Sequence, residues 1–152
     1  MQNHVDAKNN GNAVKLTLTS KRTNSLRTDM LGAAVLKLFP HLTKESPNYT
    51  RLVLCMEELT VNATKKDEQF PVEIVFSKEK IDGHDIAKFT IKDSGKPFVV
   101  PESEDPLNTK GHGIGLTLVE RIISKAGGEW GVDGSTNTAW FSYMIPPEDK
   151  MN

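Results

Sequence analysis

The feature that most constrains this chain is a break in its periodicity. Between residues 93 and 113 the alternation of strand and helix patterns stops. Gly95, Pro97, Pro101, Pro106, Gly111 and Gly113 fall there instead, a composition unsuited to a helix interior or a central strand. A loop of roughly 20 residues inside a compact domain is usually functional or disordered. It separates a strand pair from a strongly amphipathic helix.

The segments before the break are regular. Residues 14–19 alternate apolar and polar, as a half-buried strand does. Residues 24–39 have helical spacing, with Leu26, Met30, Ala33, Ala34 and Leu38 on one side and Pro40 ending the run. A second helix is expected over residues 46–66, opened by Ser46 as N-cap and Pro47 at the first helical position. Its apolar stripe is Leu52, Cys55, Met56, Leu59 and Ala63. Residues 71–77 and 87–92 read as strands joined through an Asp82-Gly83 turn. After the break come a helix over residues 114–126, stopped by Gly127-Gly128, and strands near residues 129–133 and 138–145. This order predicts an α+β fold, a two-layer α/β sandwich. Its sheet is expected to be mixed and mostly antiparallel, with the helices on one face.

A chain of 152 residues suits one domain. Residues 14–146 are expected to form it, with polar tails at 1–13 and 147–152. The formal net charge of −1 gives no bulk electrostatic case for a nucleic-acid partner. No apolar run approaches a membrane span, and the first thirteen residues lack the apolar core of a signal peptide. A single cysteine, Cys55, excludes an internal disulfide and fits a reducing cytoplasm. It reads as a buried structural thiol.

Three clusters carry chemistry. On the second helix, Glu58 and Asn62 are four apart and share a face, with Lys66 one turn further. A carboxylate and a carboxamide oxygen are hard ligands for Mg²⁺ or water, and a lysine can pair with phosphate. Alone, such a set is more often a solvated helix face. At the end of a strand, Asp93 can accept from an exocyclic amine, while Gly95 lets a flat ring approach the backbone. Alone, it reads first as a turn Asp followed by a turn Gly. Finally, Gly111, His112, Gly113, Ile114, Gly115 and Leu116 lead into a helix whose free N–H groups can seat phosphates. No short strand-to-helix turn precedes this run, unlike a Rossmann fingerprint, and no Gly-Lys-Ser or Gly-Lys-Thr follows, unlike a Walker loop. A metal role for His112 would need partners that His4, His41 and His84 do not obviously supply.

Taken together and in this order, the clusters resemble the N, G1 and G2 boxes of the GHKL (histidine kinase/Hsp90-like) ATPases. Glu58, Asn62 and Ala63 match the N box, with Lys65 and Lys66 at its basic positions. Asp93 and Gly95 match the G1 box; Gly111, Gly113 and Gly115 match the G2 box. Thr138 stands where the family often has a threonine supporting the adenine-binding Asp. There are two departures. Pro97 replaces the usual second G1 glycine, removing an N–H donor. Asn137 replaces a glycine before the last strand, and can still take a left-handed turn.

The resemblance implies ATP and Mg²⁺ as cofactors. It implies that Glu58 is the catalytic base and Asn62 the Mg²⁺ ligand. Lys65, Lys66, Asp93, Gly95, Thr138 and the run from Gly111 to Leu116 are then the nucleotide-binding positions, and the segment from Lys96 to Lys110 is a lid. The single strand and helix before the N box, with Pro97-Phe98, are similar to anti-sigma serine/threonine kinases of the SpoIIAB/RsbW type. By that resemblance, no dimerising helical hairpin precedes the domain. The substrate is a STAS-type anti-anti-sigma protein, a sigma factor is a further partner, and a homodimer is common among relatives. Arg22 and Arg27 are candidates for partner contacts or solvated surface. Two other readings stay open: a catalytic domain working with a separate phosphotransfer partner, and a nucleotide-binding module that sequesters a sigma factor with little turnover.

Overall fold

A computed structural model describes residues 5–9, 12–21, 27–96 and 113–146; for 5–9 and 113–116 it gives the course of the backbone only. In chain order the elements are β1 (Val5–Asn9), β2 (Ala13–Leu18), α1 (Arg27–Leu38), α2 (Pro47–Ala63), β3 (Val72–Ile81), β4 (His84–Lys92), α3 (Gly113–Lys125), β5 (Trp130–Asp133) and β6 (Thr138–Ile145). A short 3-10 turn, Asp67–Gln69, joins α2 to β3. The strands form one six-stranded sheet in the order β1-β2-β3-β4-β6-β5.

The two-layer α+β sandwich is as the patterning predicts. Every pairing among the described strands is antiparallel, so the mixed component expected of the sheet is not found there. The connections explain this, because β1–β2, β3–β4 and β5–β6 are sequential neighbours and short reversals enforce antiparallel pairing. The described part of the segment expected to be a tail contains β1, which pairs Val5 with Leu18 and Asn9 with Val14. Its Val-Asp-Ala-Lys-Asn sequence alternates apolar with polar, and hydrogen bonds to the free edge of β2 outweigh its low overall hydrophobicity.

The core lies between the helices and one face of the sheet. Leu16, Ile74, Phe89 and Phe141 supply the sheet side, with the Phe89 and Phe141 rings stacked at 5.4 Å. The stripe of α2 is buried as its spacing predicts, from Leu52 through Cys55, Met56 and Leu59 to Ala63. In α1 the expected face is buried in part, through Ala34 and Leu38. The core also receives Leu31 and Val35, while Ala33 is exposed. In α3 it receives Val119 and Ile123, and Leu118, Ile122 and Ala126 are half-buried.

Local chemistry sets the ends of these elements. Ser46 starts α2 from an extended conformation but makes no side-chain cap; its hydroxyl accepts instead from the Thr43 N–H at 3.0 Å. At the other end, α2 stops at Ala63, short of the expected residue 66. Thr60 and Thr64 donate their hydroxyls to the carbonyls of Met56 and Thr60, each at 2.7 Å, a side-chain to backbone competition that weakens helix continuation. Lys65 and Lys66 therefore leave the helix, and Lys66 does not share a face with Glu58 and Asn62. Gly127, at φ 72°, closes α3, and the Gly128 N–H donates to the Ile123 carbonyl at 2.9 Å.

Candidate nucleotide site

Asp93 is the first residue past β4 and is held on both sides. Its backbone N–H donates to the Asn137 carbonyl at 3.1 Å. Its carboxylate accepts from the Gly95 N–H at 2.8 Å through Oδ1 and from the Gln69 carboxamide at 3.3 Å through Oδ2. The next residue is clamped too: the Ser94 N–H donates to the Gln69 carbonyl at 2.8 Å, and its hydroxyl to the Pro71 carbonyl at 2.6 Å. On the far side, Asn137 adopts φ 53° and donates its carboxamide to the Gly95 carbonyl. The strand end that carries the carboxylate is thus tied to the segment after α2 and to the turn before β6.

Space at residue 95 is tight. A Cβ there would lie 3.1 Å from Asp93 Oδ1 and 3.4 Å from Gln69 Cγ, so the carboxylate would have to give way by a few tenths of an ångström.

These groups border a cavity of about 100 Å³. Leu59, Asn62 and Ala63 wall it from α2, Ile91 and Asp93 from the end of β4, and Val132, Thr138 and Ala139 from the last hairpin. Apolar walls with one carboxylate, Asp93, and three carboxamides, Asn62, Gln69 and Asn137, suit a flat heteroaromatic ring with a hydrogen-bonding edge. Asn62 supplies the independent sign of a ligand: its Nδ2 is buried and has no hydrogen-bond partner among the described residues. A buried, unsatisfied amide is costly, and a half-turn about its last bond presents the oxygen at the same place. The residues present therefore fit a nucleotide.

The other expected positions are distributed differently. Glu58 is half-buried one turn before Asn62 and does not border the cavity. Its charge is felt at Cys55, whose thiol is pushed up to about 12, by burial first and by Glu58 second. The neighbouring Glu57 accepts from the Thr28 hydroxyl of α1. Lys65 and Lys66 are exposed beyond the helix and do not border the cavity. Thr138 does, but its hydroxyl donates to the Thr136 carbonyl at 3.2 Å. Gly113 opens α3; Gly113, Ile114, Gly115 and Leu116 are described only as helical backbone. Gly111, His112 and the proposed lid beyond Lys96 lie outside the described residues, as does Arg22.

One residue escaped the sequence reading. Gln69 donates to both Asp93 and Asn62, the latter through its backbone carbonyl at 3.0 Å, and accepts from the Lys66 N–H at 2.8 Å. Its position three residues after Lys66, opening a turn, is the spacing at which a Gln side chain caps a backbone N–H.

The decisive observation is that residues 48–148, more than half of the chain, match the histidine kinase-, DNA gyrase B- and HSP90-like ATPases. The chain belongs to that family. It is an ATP-binding domain of the GHKL type. No curated protein matches it in sequence. Among solved structures, the histidine kinase domain of the blue-light activated histidine kinase from Erythrobacter litoralis EL346 is similar, at a TM-score of 0.46 and 20% identity. That match covers 66% of this chain and 45% of the other, so this chain spans less than half the length of that domain. Among the described residues no helix is long and apolar enough to cross a membrane, and no group of three or more His, Cys, Asp or Glu side chains could hold a metal ion.

Proposed function

We propose that this GHKL domain is a cytoplasmic anti-sigma serine/threonine kinase that phosphorylates a hydroxyl on a STAS-type anti-anti-sigma protein and also binds a sigma factor. The observation that carries the nucleotide half is the meeting of Asn62 and Asp93 at one cavity, with a buried unpaired amide and a tethered carboxylate. The choice of protein substrate rests on the resemblance of Pro97-Phe98 and of the segment before α2 to that kinase group.

In this reading the Asp93 carboxylate accepts from the adenine amine, and the Asn62 oxygen would hold Mg²⁺, which would neutralise phosphate charge. The amides opening α3 at Gly113 and Gly115 bind phosphate oxygens, and Lys65 or Lys66 adds charge there. ATP supplies the phosphoryl group, and positioning with charge neutralisation does most of the catalysis. Glu58 orients the substrate hydroxyl and takes its proton.

The test is incubation with labelled ATP, Mg²⁺ and a STAS protein encoded beside the gene. Wild type transfers label to the STAS protein. Glu58→Gln keeps its ATP affinity but transfers roughly 10²–10⁴-fold more slowly, the usual range for a positioned acid–base group. Asn62→Ala instead loses Mg²⁺-dependent ATP affinity. If wild type binds ATP yet labels no partner, and Glu58→Gln still controls its target fully in cells, the protein acts by sequestration and the kinase reading fails.

A further inference from the structure

The half-buried face of α3 borders a groove at the other end of α2. Leu118, Ile122 and Ala126, at helical spacing, form its apolar floor together with Met144 of β6, and its volume is about 690 Å³. Its rim is cationic. Arg121 and Lys125 stand one turn apart on α3, Arg51 comes from α2, and all three are exposed. His84, from the start of β4, also borders it. Among the described residues no carboxylate borders the groove, and neither Arg121 nor Lys125 has a carboxylate partner. The nearest acidic residue on α3 in sequence, Glu120, is engaged by the Ser124 hydroxyl at 2.7 Å.

This concentration of one sign is local, since the chain as a whole carries a formal charge of −1. Like charges around a low-dielectric floor focus a positive potential, and their self-repulsion is relieved by an anionic occupant. Arg51 is already oriented: it donates to Asn48 Oδ1 at 3.4 Å, and the same oxygen accepts from the Tyr143 hydroxyl. A second hollow of about 290 Å³ at the β3–β4 turn shares His84 and Pro146 with the groove. The one carboxylate there, Asp85, faces Lys80 at 3.8 Å. An apolar floor, a cationic rim and an elongated course match a polypeptide segment better than a compact solute.

We propose that this groove docks an acidic, amphipathic segment of a partner protein, apolar side chains on the floor and carboxylates on Arg51, Arg121 and Lys125. Arg51 and Asn62 are separated by about 16 Å along α2 at 1.5 Å per residue, so an occupant leaves the nucleotide cavity open. Docking here is independent of which hydroxyl, if any, the kinase phosphorylates.

The test uses the full chain and a fluorescein-labelled peptide of about twelve residues, roughly three helical turns, with Leu on one face and Glu on the other. A Lys-for-Glu version serves as control, and anisotropy is the readout. The Glu/Leu peptide binds, its affinity falls with added salt, and the Lys/Leu peptide does not bind. The R51E/R121E/K125E variant weakens binding roughly 10-fold or more, as loss of complementary charge should, while its melting temperature and ATP affinity stay at wild-type values. Equal binding to wild type and this variant overturns the proposal. So does binding to phosphatidylglycerol vesicles, lost in the variant, without binding to the peptide; that makes the groove a membrane-facing surface. Peptide binding that appears only when residues 147–152 are removed also overturns it, because the chain's own Glu148-Asp149 segment is then the occupant.

Discussion

The Gln69 carboxamide spends both of its protons on the nucleotide cavity, one on Asp93 Oδ2 at 3.3 Å and one on the Asn62 backbone carbonyl at 3.0 Å. It thereby locks the end of the helix that carries Asn62 to the end of the strand that carries Asp93. The two residues expected to grip opposite parts of a nucleotide are held in register by a third that borders the same cavity.

Gln69→Ala should loosen that lock without removing a ligand group. Hydrogen bonds to a carboxylate and to a backbone carbonyl are each worth about 0.5–3 kcal/mol net. The variant should therefore lose roughly 1–3 kcal/mol of stability in urea unfolding and bind ATP more weakly than wild type. Unfolding and ATP titration curves that both overlay wild type would show that the lock is dispensable.

Asn137 has two separable tasks, a left-handed backbone at φ 53° and a hydrogen bond to the Gly95 carbonyl. Gly keeps the first and loses the second; Ala loses both. Left-handed conformation costs a residue with a Cβ roughly 1–2 kcal/mol, so Asn137→Ala should be less stable than Asn137→Gly, and both less stable than wild type. Equal stability of Ala and Gly at 137 would mean that the turn conformation is not enforced.

Much of this fold follows from periodicity. The alternation in β2, β3 and β4 identifies the buried positions, and the stripe from Leu52 to Ala63 is the buried face of α2. Order along the chain also joins Asn62 to Asp93, because a helix and a strand end that carry those residue types in a GHKL domain meet at one cavity. The misses have physical reasons. Strand β1 is short and polar, and its stability comes from an edge supplied by β2, which composition alone does not reveal. The end of α2 depends on which acceptors the Thr60 and Thr64 hydroxyls choose. On α3, five apolar residues from Leu118 to Ala126 offer more than one face, and the core takes Val119 and Ile123. Gln69 escapes because its value lies in contacts that fold from residues 24 and 7 positions away.

Cys55 gives a prediction that is independent of ligand. Its thiol is raised from the ordinary 9.0 to about 12, chiefly by burial and secondarily by the charge of Glu58. The unfolded thiol ionises first, so between about pH 9 and 12 the unfolded state holds fewer protons than the folded one. Stability contributed by this group is full below pH 9 and declines as pH rises through that window. Native protein at pH 8 should therefore react with a thiol reagent only as fast as it unfolds, and urea should accelerate the labelling. Complete labelling within the mixing time in the absence of urea would contradict the burial of Cys55.

The most direct test of the central claim is calorimetric titration of wild type and Asp93→Asn with ATP and with GTP in the presence of Mg²⁺. If the Asp93 carboxylate accepts from the adenine amine at this cavity, ATP binds more tightly than GTP, which presents a carbonyl at that position. Asp93→Asn then loses about 1.5–3 kcal/mol of ATP affinity, the worth of a hydrogen bond to a charged group. Equal affinity of wild type for ATP and GTP, or an Asp93→Asn protein that binds ATP as wild type does, would contradict the assignment of this cavity as the adenine site.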